Sequence, residues 1–462
     1  MRTPIFKVIL ITTSVFLTAC KQPEFISLSS AAGGVFTKFN SNIMGSNKVI
    51  TGAMLKIDEV VDESAAKVNM NGDFMAIVKA AVEVDPLVLS AKANYEARSA
   101  TIGVTKSLKD FQFFGTVYGG VEDITDETAG IAAVLNANKL IYDGGKLDSR
   151  ISADEHYAAA SLQEYELVLD ESAFLALKAW VELDRYNTLS QLIKARLEVL
   201  SPLIAQLERV AEAGLGDAAM VSAAQRTVSM IEVTQTDVEQ RLAQAEVGFL
   251  NVFGSLPSSA RFDSVAISSA VPSIVSNDLI IGSPALGAEY AKYQAAIAAL
   301  KSTRASDSIN VGFETKIQRP FGESEYDSDE SLGLVLRKTL YDGGKLNSEI
   351  KAAEAQVDAQ LESFKSTFRV GFRAVKTART TIKAMEKGID LAKSNATNTL
   401  DEVAFLRKQL VIGQSTLDSV LSAEARLYDA ESKEINFMAD KHLAELTILS
   451  ATGLLSDLLS LD

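Results

Sequence analysis

The sequence is short of the residues that metal and redox chemistry need. Its 462 residues include one cysteine, Cys20, and two histidines, His156 and His442. With so few thiol and imidazole groups, zinc sites, iron–sulfur ligation, cysteine-nucleophile chemistry and a disulfide framework are all disfavoured. No cofactor or metal is expected, and no convergent His, Ser or carboxylate constellation points to an enzyme. Proline is also scarce, with 8 in the whole chain. That scarcity suits long uninterrupted helices, because proline removes a backbone donor and clashes with the preceding turn. After the first twenty residues no stretch approaches 18 consecutive apolar residues, so no membrane-spanning helix is expected there. Basic residues are outnumbered, 45 Lys and Arg against 60 Asp and Glu, for a net charge of −15. No basic run offers a nucleic-acid surface. Apolar residues at 47% and charged residues at 23% nevertheless describe a folded chain.

The N-terminus is organised differently from the rest. Residues 1–7 carry Arg2 and Lys7 ahead of a mostly apolar run, 8–19, which has the form of a secretory signal. Leu17-Thr18-Ala19-Cys20 resembles the lipobox of bacterial lipoproteins. That resemblance implies cleavage before Cys20 and acylation of its thiol. Lys21 stands where an inner-membrane retention signal would need Asp, so the resemblance points to the outer membrane. Loss of residues 1–19 takes the net charge from −15 to −17.

The rest of the chain is duplicated. Residues 139–155 read KLIYDGGKLDSRISADE and residues 338–354 read KTLYDGGKLNSEIKAAE, with 11 of 17 positions identical at an offset of 199. Gly214 and Gly413, Val221 and Val420, and Ala224 and Ala423 keep the same offset. Such self-similarity makes two copies of one supersecondary unit the expected architecture. The boundaries read as signal 1–19, acylated tail 20–72, first repeat 73–252, linker 253–283, second repeat 284–453 and C-terminal tail 454–462.

Within each copy the hydrophobic period changes. Residues 307–319 alternate, with Ile309, Val311, Phe313, Thr315 and Ile317 opposite Ser308, Asn310, Glu314, Lys316 and Gln318. Residues 331–341 alternate likewise, and 111–119 with 131–142 form the matching pair in the first copy. One apolar and one polar face over 10–13 residues is the pattern of a transmembrane β-strand lining an aqueous lumen. After each Asp-Gly-Gly the period becomes seven. Leu162, Leu169, Ala176, Leu183, Ser190, Leu197 and Ile204 mark one register in the first copy. Leu361, Phe368, Val375, Ile382, Ile389, Ala396 and Val403 mark it in the second. Seven heptads in succession predict a coiled coil. The first helix, 146–212, would be about 100 Å long and locally kinked at Pro202. Turns at 213–216 and 412–414 return each helix on itself. Trp180, Tyr165 and Tyr186 read as coiled-coil core, and His156 and His442 as solvated helical histidines.

Four strands cannot close a barrel, and an open sheet in lipid would leave unpaired backbone edges. Closure therefore has to come from several chains, with two, three and four copies all geometrically open. The predicted fold class is mainly α with transmembrane β: long antiparallel helical hairpins plus four strands per chain.

These features together resemble the TolC-like outer-membrane efflux factors, in their lipoprotein branch. The resemblance rests on the junctions Tyr142-Asp143-Gly144-Gly145 and Tyr341-Asp342-Gly343-Gly344, the Pro-initiated helices at Pro86 and Pro284, the turns at 213–215 and 412–414, and the terminal segment 415–455. It implies a homotrimer with a 12-stranded barrel in the outer-membrane lipid of a Gram-negative bacterium, anchored at the periplasmic face through Cys20. It also implies a periplasmic helical tube that docks a periplasmic adaptor protein and an inner-membrane transporter of RND or ABC type. The implied function is a passive efflux or export channel, with type I protein secretion as the alternative within the family. A pore-less coiled-coil envelope lipoprotein is the alternative outside it. By the same resemblance the tips Gly214, Leu215, Gly413 and Gln414 meet the adaptor. The family's gate carboxylates fall on Met220, Ser419 and Ser422 here, with Asp217 and Asp418 nearby. Asp143 and Asp342 are expected to cap helices, and Gly144, Gly145, Gly343 and Gly344 to supply the turns before them.

Overall fold

The computed structural model describes residues 68–121, 129–213, 218–257, 262–322, 324 and 326–461. Two helices open this part of the chain, α1 (Phe74–Glu83) and α2 (Pro86–Ser107). They lead into strands β1 (Gln112–Val121) and β2 (Ala129–Tyr142), then helices α3 (Lys146–Glu212) and α4 (Ala218–Phe253). Short helices α5 (Ser264–Ala270) and α6 (Asn277–Ile281) precede α7 (Pro284–Ala305). Strands β3 (Asn310–Phe321) and β4 (Asp329–Arg337), helices α8 (Lys345–Val411) and α9 (Leu417–Thr452), and a last short helix α10 (Leu454–Leu459) complete the order. Helices α3 and α8 both have 67 residues, α4 and α9 both 36, and α2 and α7 both 22. Among the described residues no helix is long and apolar enough to cross a membrane.

The seven-residue period is what folds the long helices. From Leu162 to Ile204 each of its core positions in α3 is buried or half-buried, and so is each one from Leu361 to Leu406 in α8. Helix α3 continues through Pro202 without a break. Proline and aspartate set the start of α2: Pro86 occupies the first turn, and Asp85 accepts the Leu87 N–H at 2.9 Å. The Ser172 hydroxyl donates to the other Asp85 oxygen at 2.6 Å, which ties that cap to α3.

The core is built around Trp180 on α3. Its ring meets Phe74 at 5.4 Å, Phe249 at 4.9 Å and Phe253 at 5.9 Å, edge to face in each case. Trp180 is therefore more than a coiled-coil seam residue: it sits where α1, α3 and α4 converge. Helix α1 supplies Phe74, Ile77, Val78, Ala81 and Val82 at helical spacing. Farther along, Leu189, Ile193, Leu200, Ala224, Ile231, Val238 and Leu421 join α3, α4 and α9. Sequence periodicity does not reveal α1, α5, α6 or α10, which are too short to show a repeat of their own.

The four strands form one antiparallel sheet in the order β1-β2-β3-β4, so the two hairpins are neighbours although long helices separate them in sequence. Strand ends differ from the sequence expectation. Pro320 and Phe321, beyond the alternating stretch 307–319, extend β3 because they pair with Ala132 and Ile131 of β2. Strand β4 stops at Arg337 and not at residue 341, because its partner strand begins at Asn310, the residue opposite Arg337. A register shift between Leu140 and Tyr142 puts Tyr142 opposite Val311.

Asp170 on α3 is fully buried and accepts the Ser456 N–H at 2.7 Å, capping α10 from another part of the chain. Its second oxygen has no partner. Burial pushes this carboxyl up to about 6, with the negative charges of Asp457 and Glu166 adding to the rise. A raised carboxyl contributes stability that is complete below its unfolded value near 3.8 and is lost as pH rises through about 6. At neutral pH the ionised group costs about 3 kcal/mol. Asp170→Asn is expected to raise thermal stability at pH 7.5 by about that amount while leaving it unchanged at pH 4. Circular-dichroism melts at both pH values check this, and an equal offset at both would remove the titration account.

Candidate functional site

Residues paired across an antiparallel sheet share a face, so the register sorts every strand position. One face carries Phe113, Gly115, Val117, Ile131, Ala133, Leu135, Val311, Phe313, Ile317, Phe321, Leu332, Leu334 and Leu336, with Lys139, Thr315, Arg319 and Glu330 as its polar members. Leu332, Leu334 and Leu336 on this face are 65–73% exposed. Contiguous exposed apolar surface of this kind marks contact with lipid or protein and not with water. The other face carries Gln112, Asn136, Asn138, Glu314, Lys316, Gln318, Asp329, Ser331 and Arg337, with Phe114, Val134 and Val335 as apolar members. Ion pairs cross it, Arg337 to Glu314 at 2.5 Å and Lys316 to Asp329 at 3.2 Å. Ala132 and Val134 of this face are buried while Ile131 and Leu135 opposite are exposed. The edges of β1 and β4 are unpaired among the described residues.

Each strand pair passes into a long helix through the same device. Asp143 accepts the Gly145 N–H at 3.0 Å and the Leu147 N–H at 2.7 Å. Asp342 accepts those of Gly344 and Leu346 at 2.9 and 2.7 Å, and these bonds hold its carboxyl below the usual range. Gly144, Gly145, Gly343 and Gly344 all have φ between 69° and 87°, a region closed to most side chains. Gly144 also lies against Ser308, where a Cβ would collide with that side chain.

At the far end of α8, Gly413 has φ 74°; its N–H donates to the Leu410 carbonyl at 3.1 Å, and that of Gln414 to Gln409 at 2.9 Å. This is the Schellman termination of a helix. Thr416 then caps α9, its hydroxyl oxygen accepting the Ser419 N–H at 3.2 Å and meeting the Ser419 hydroxyl at 2.7 Å. Ser419 therefore helps to start a helix. Asp418 is half-buried in the same first turn, where a negative charge suits the helix dipole. Ser422 is half-buried one turn later, and Met220 lies in the first turn of α4. Cys20, Gly214, Leu215 and Asp217 lie outside the described residues.

Residues 275–454, from the start of α6 through α9, match the family profile described as outer membrane efflux protein. This segment is similar to the outer membrane efflux proteins. It is 27% identical over 167 residues to outer membrane protein TolC of Escherichia coli K12, a match covering 35% of this chain and 33% of that protein. The matched part thus spans about a third of the length of the curated relatives. The fold likeness extends further. The outer membrane protein VceC of Vibrio cholerae superposes with a TM-score of 0.72 at 16% identity, over 82% of this chain and 96% of that one. The Campylobacter jejuni CmeC outer membrane channel gives 0.71 at 14% identity, over 84% and 88%.

Inside the family segment the structure adds a site that residue patterns did not disclose. Glu424 of α9 is 1% exposed and stands between two arginines. Arg196 of α3 reaches one oxygen at 2.8 Å and Glu431 at 2.6 Å, and Arg407 of α8 reaches the other oxygen. Arg426 of α9 pairs with Glu402 of α8 at 2.6 Å on the same helix pair. Glu424 thus joins the α8–α9 hairpin both internally and to α3. The position 199 residues earlier is Gln225, so the first hairpin lacks the same clamp. The one signal in sequence was a carboxylate adjoining Ala423, a position shared by both repeats.

His442 differs from its sequence reading. Its side chain is 12% exposed, Nδ1 lies 2.9 Å from Glu445 Oε2, and the ring meets Phe262 at 5.6 Å. Ser268 of α5 donates to the same Glu445 oxygen at 2.8 Å, so this histidine is part of a buried join between α9 and the linker. His156 is half-buried.

Removing one partner from a buried ion pair leaves uncompensated charge and costs about 3–5 kcal/mol. Glu424→Gln is expected to lower thermal stability by that order, while Glu402→Gln, in an exposed pair, should cost less than about 1 kcal/mol. Denaturant or thermal unfolding of both variants checks the contrast.

Proposed function

We propose that the chain is the outer-membrane channel of a tripartite efflux or export system, a passive conduit opened by an adaptor and an inner-membrane transporter. The observation that carries this reading is the four-stranded sheet, apolar and exposed on one face, charged on the other, with both edges open. In hydrocarbon every backbone donor and acceptor must be paired within protein. The open edges of β1 and β4 therefore require further copies, and three copies supply twelve strands, an allowed barrel size. Trimeric assembly is what this family implies, and the paired lengths of α2 with α7, α3 with α8 and α4 with α9 support two internal repeats.

In this reading the Glu314–Arg337 and Lys316–Asp329 pairs line an aqueous lumen. The helical hairpins form the periplasmic tube, with Gly413 and Gln414 at a tip for the adaptor, and Gly214 and Leu215 expected beside them. The acyl chains on Cys20 would anchor the protein at the periplasmic face. No bond chemistry is required. Opening is a relative movement of hairpins, and Glu424, held by Arg196 and Arg407, resists it where α3, α8 and α9 meet. Three copies of Asp418, with Asp217, would make the narrow end acidic and selective for cations.

Purified protein in planar bilayers, with its oligomer mass measured in detergent, tests the reading. A conducting trimer is expected; a non-conducting coiled-coil assembly would favour a structural envelope lipoprotein. In the same bilayers Asp418→Asn should weaken block by divalent cations, and unchanged block would remove Asp418 from the gate.

A further inference from the structure

The lysine that opens each repeated strand-to-helix motif, Lys139 and Lys338, has no role in the cap, the helix or the conduit. Lys139 is opposite Phe313 in the β2–β3 register and therefore on the apolar face of the sheet. Its ammonium lies 5.0 Å from the centre of the Phe111 ring, and the Phe111 and Phe313 rings are 5.9 Å apart, edge to face. Phe113 stacks beside Phe111 at 6.0 Å. Among the described residues Lys139 makes no ion pair.

Lys338 directly follows β4, two residues beyond Leu336 of the apolar face. Its side chain is exposed, and its nearest carboxylate, Asp307, is 3.8 Å away, at the outer limit of an ion pair. Three residues on from each lysine stands a tyrosine, Tyr142 or Tyr341, and both are exposed. The register shift before Tyr142 places it opposite Val311, again on the apolar face. All four residues sit at the end of the sheet from which the long helices leave.

We propose that each Lys–Tyr pair, Lys139 with Tyr142 and Lys338 with Tyr341, binds the phosphate of a glycerophospholipid in the periplasmic leaflet, giving six such sites around a trimeric barrel. This rests on the membrane-barrel reading above. An isolated ammonium on a lipid-facing surface is costly unless its stem extends along apolar side chains and its head reaches the interface. Phe111, Phe113 and Phe313 supply that surface, and exposed tyrosines at the same level are the usual interfacial anchors. With no carboxylate paired with Lys139 among the described residues, the counter-charge available at that depth is the lipid phosphate. The contrast with Arg319 is instructive. It is on the apolar face at the opposite end of the sheet and is already paired with Glu330.

Native mass spectrometry of the intact protein, titrated with phosphatidylglycerol in detergent, tests the proposal. Wild type is expected to retain up to six lipids per trimer, with glycerol 3-phosphate at equal concentration failing to compete. Each lysine lost should weaken its site about fivefold. The Lys139→Gln/Lys338→Gln variant should show this at every site, and the Lys→Arg pair should restore binding. Conductance of both variants should match wild type. Unchanged lipid affinity in a conducting Gln variant, or competition by glycerol 3-phosphate, overturns the lipid site alone. A wild type that forms no conducting oligomer overturns the barrel reading and the lipid site with it.

Discussion

In the proposed reading, backbone hydrogen bonding in hydrocarbon is the constraint from which the architecture follows. A soluble sheet tolerates open edges because water satisfies them, but a sheet in lipid has no such partner. The β1–β4 sheet exposes leucines and phenylalanines on one face, and its edges are unpaired among the described residues. Those two properties are compatible only if the edges meet other strands. In the proposed assembly each chain contributes an arc, and the polar face becomes an interior wall because the arc curves toward it. In that assembly, closure by copies would relieve the chain of encoding twelve strands: the four described strands would suffice, and symmetry would supply the rest.

The strands are positioned by helices, so the junctions have to be rigid. Asp143 and Asp342 each take two backbone N–H groups, and paired glycines in left-handed conformations turn the chain within three residues. From there α3 and α8 run for 67 residues each, about 100 Å. An amphipathic helix of that length has its stability in a continuous seam and very little in local propensity. The seam is kept by a seven-residue spacing, and the near absence of proline is a condition for it.

Much of this was legible in the sequence because it is periodic or duplicated. The bounds of α3, the break at 412–414, the Asp caps and the two faces of β3 follow from spacing alone. Strand ends were less legible, since where β4 stops depends on where β3 begins, a relation between chain segments. The same holds for the buried polar groups. Nothing adjacent to Glu424 predicts that Arg196, 228 residues away, will reach it. His442 looked solvated because the linker residues that cover it, Phe262 and Ser268, lie far off in sequence. Gate positions transferred by resemblance fared differently, for Ser419 proved to be engaged with Thr416 in starting α9.

These buried polar groups share a position in the architecture. Asp170 joins α3 to the C-terminal helix, Glu445 with His442 joins α9 to the linker, and Glu424 joins two hairpins. Each lies where segments distant in sequence meet, and none lies in the middle of a uniform seam. A heptad seam of Leu, Ala and Val can slide by one repeat at little cost, since every repeat offers a similar surface. A buried carboxylate that finds its donors in only one alignment makes the slipped states expensive even when it adds little to the aligned one. The long hairpins therefore owe their cohesion to the apolar period and their register to a few charged residues. In the proposed opening, movement between hairpins would be resisted at Glu424, where buried charge adds to the apolar packing of Leu421 and Leu427.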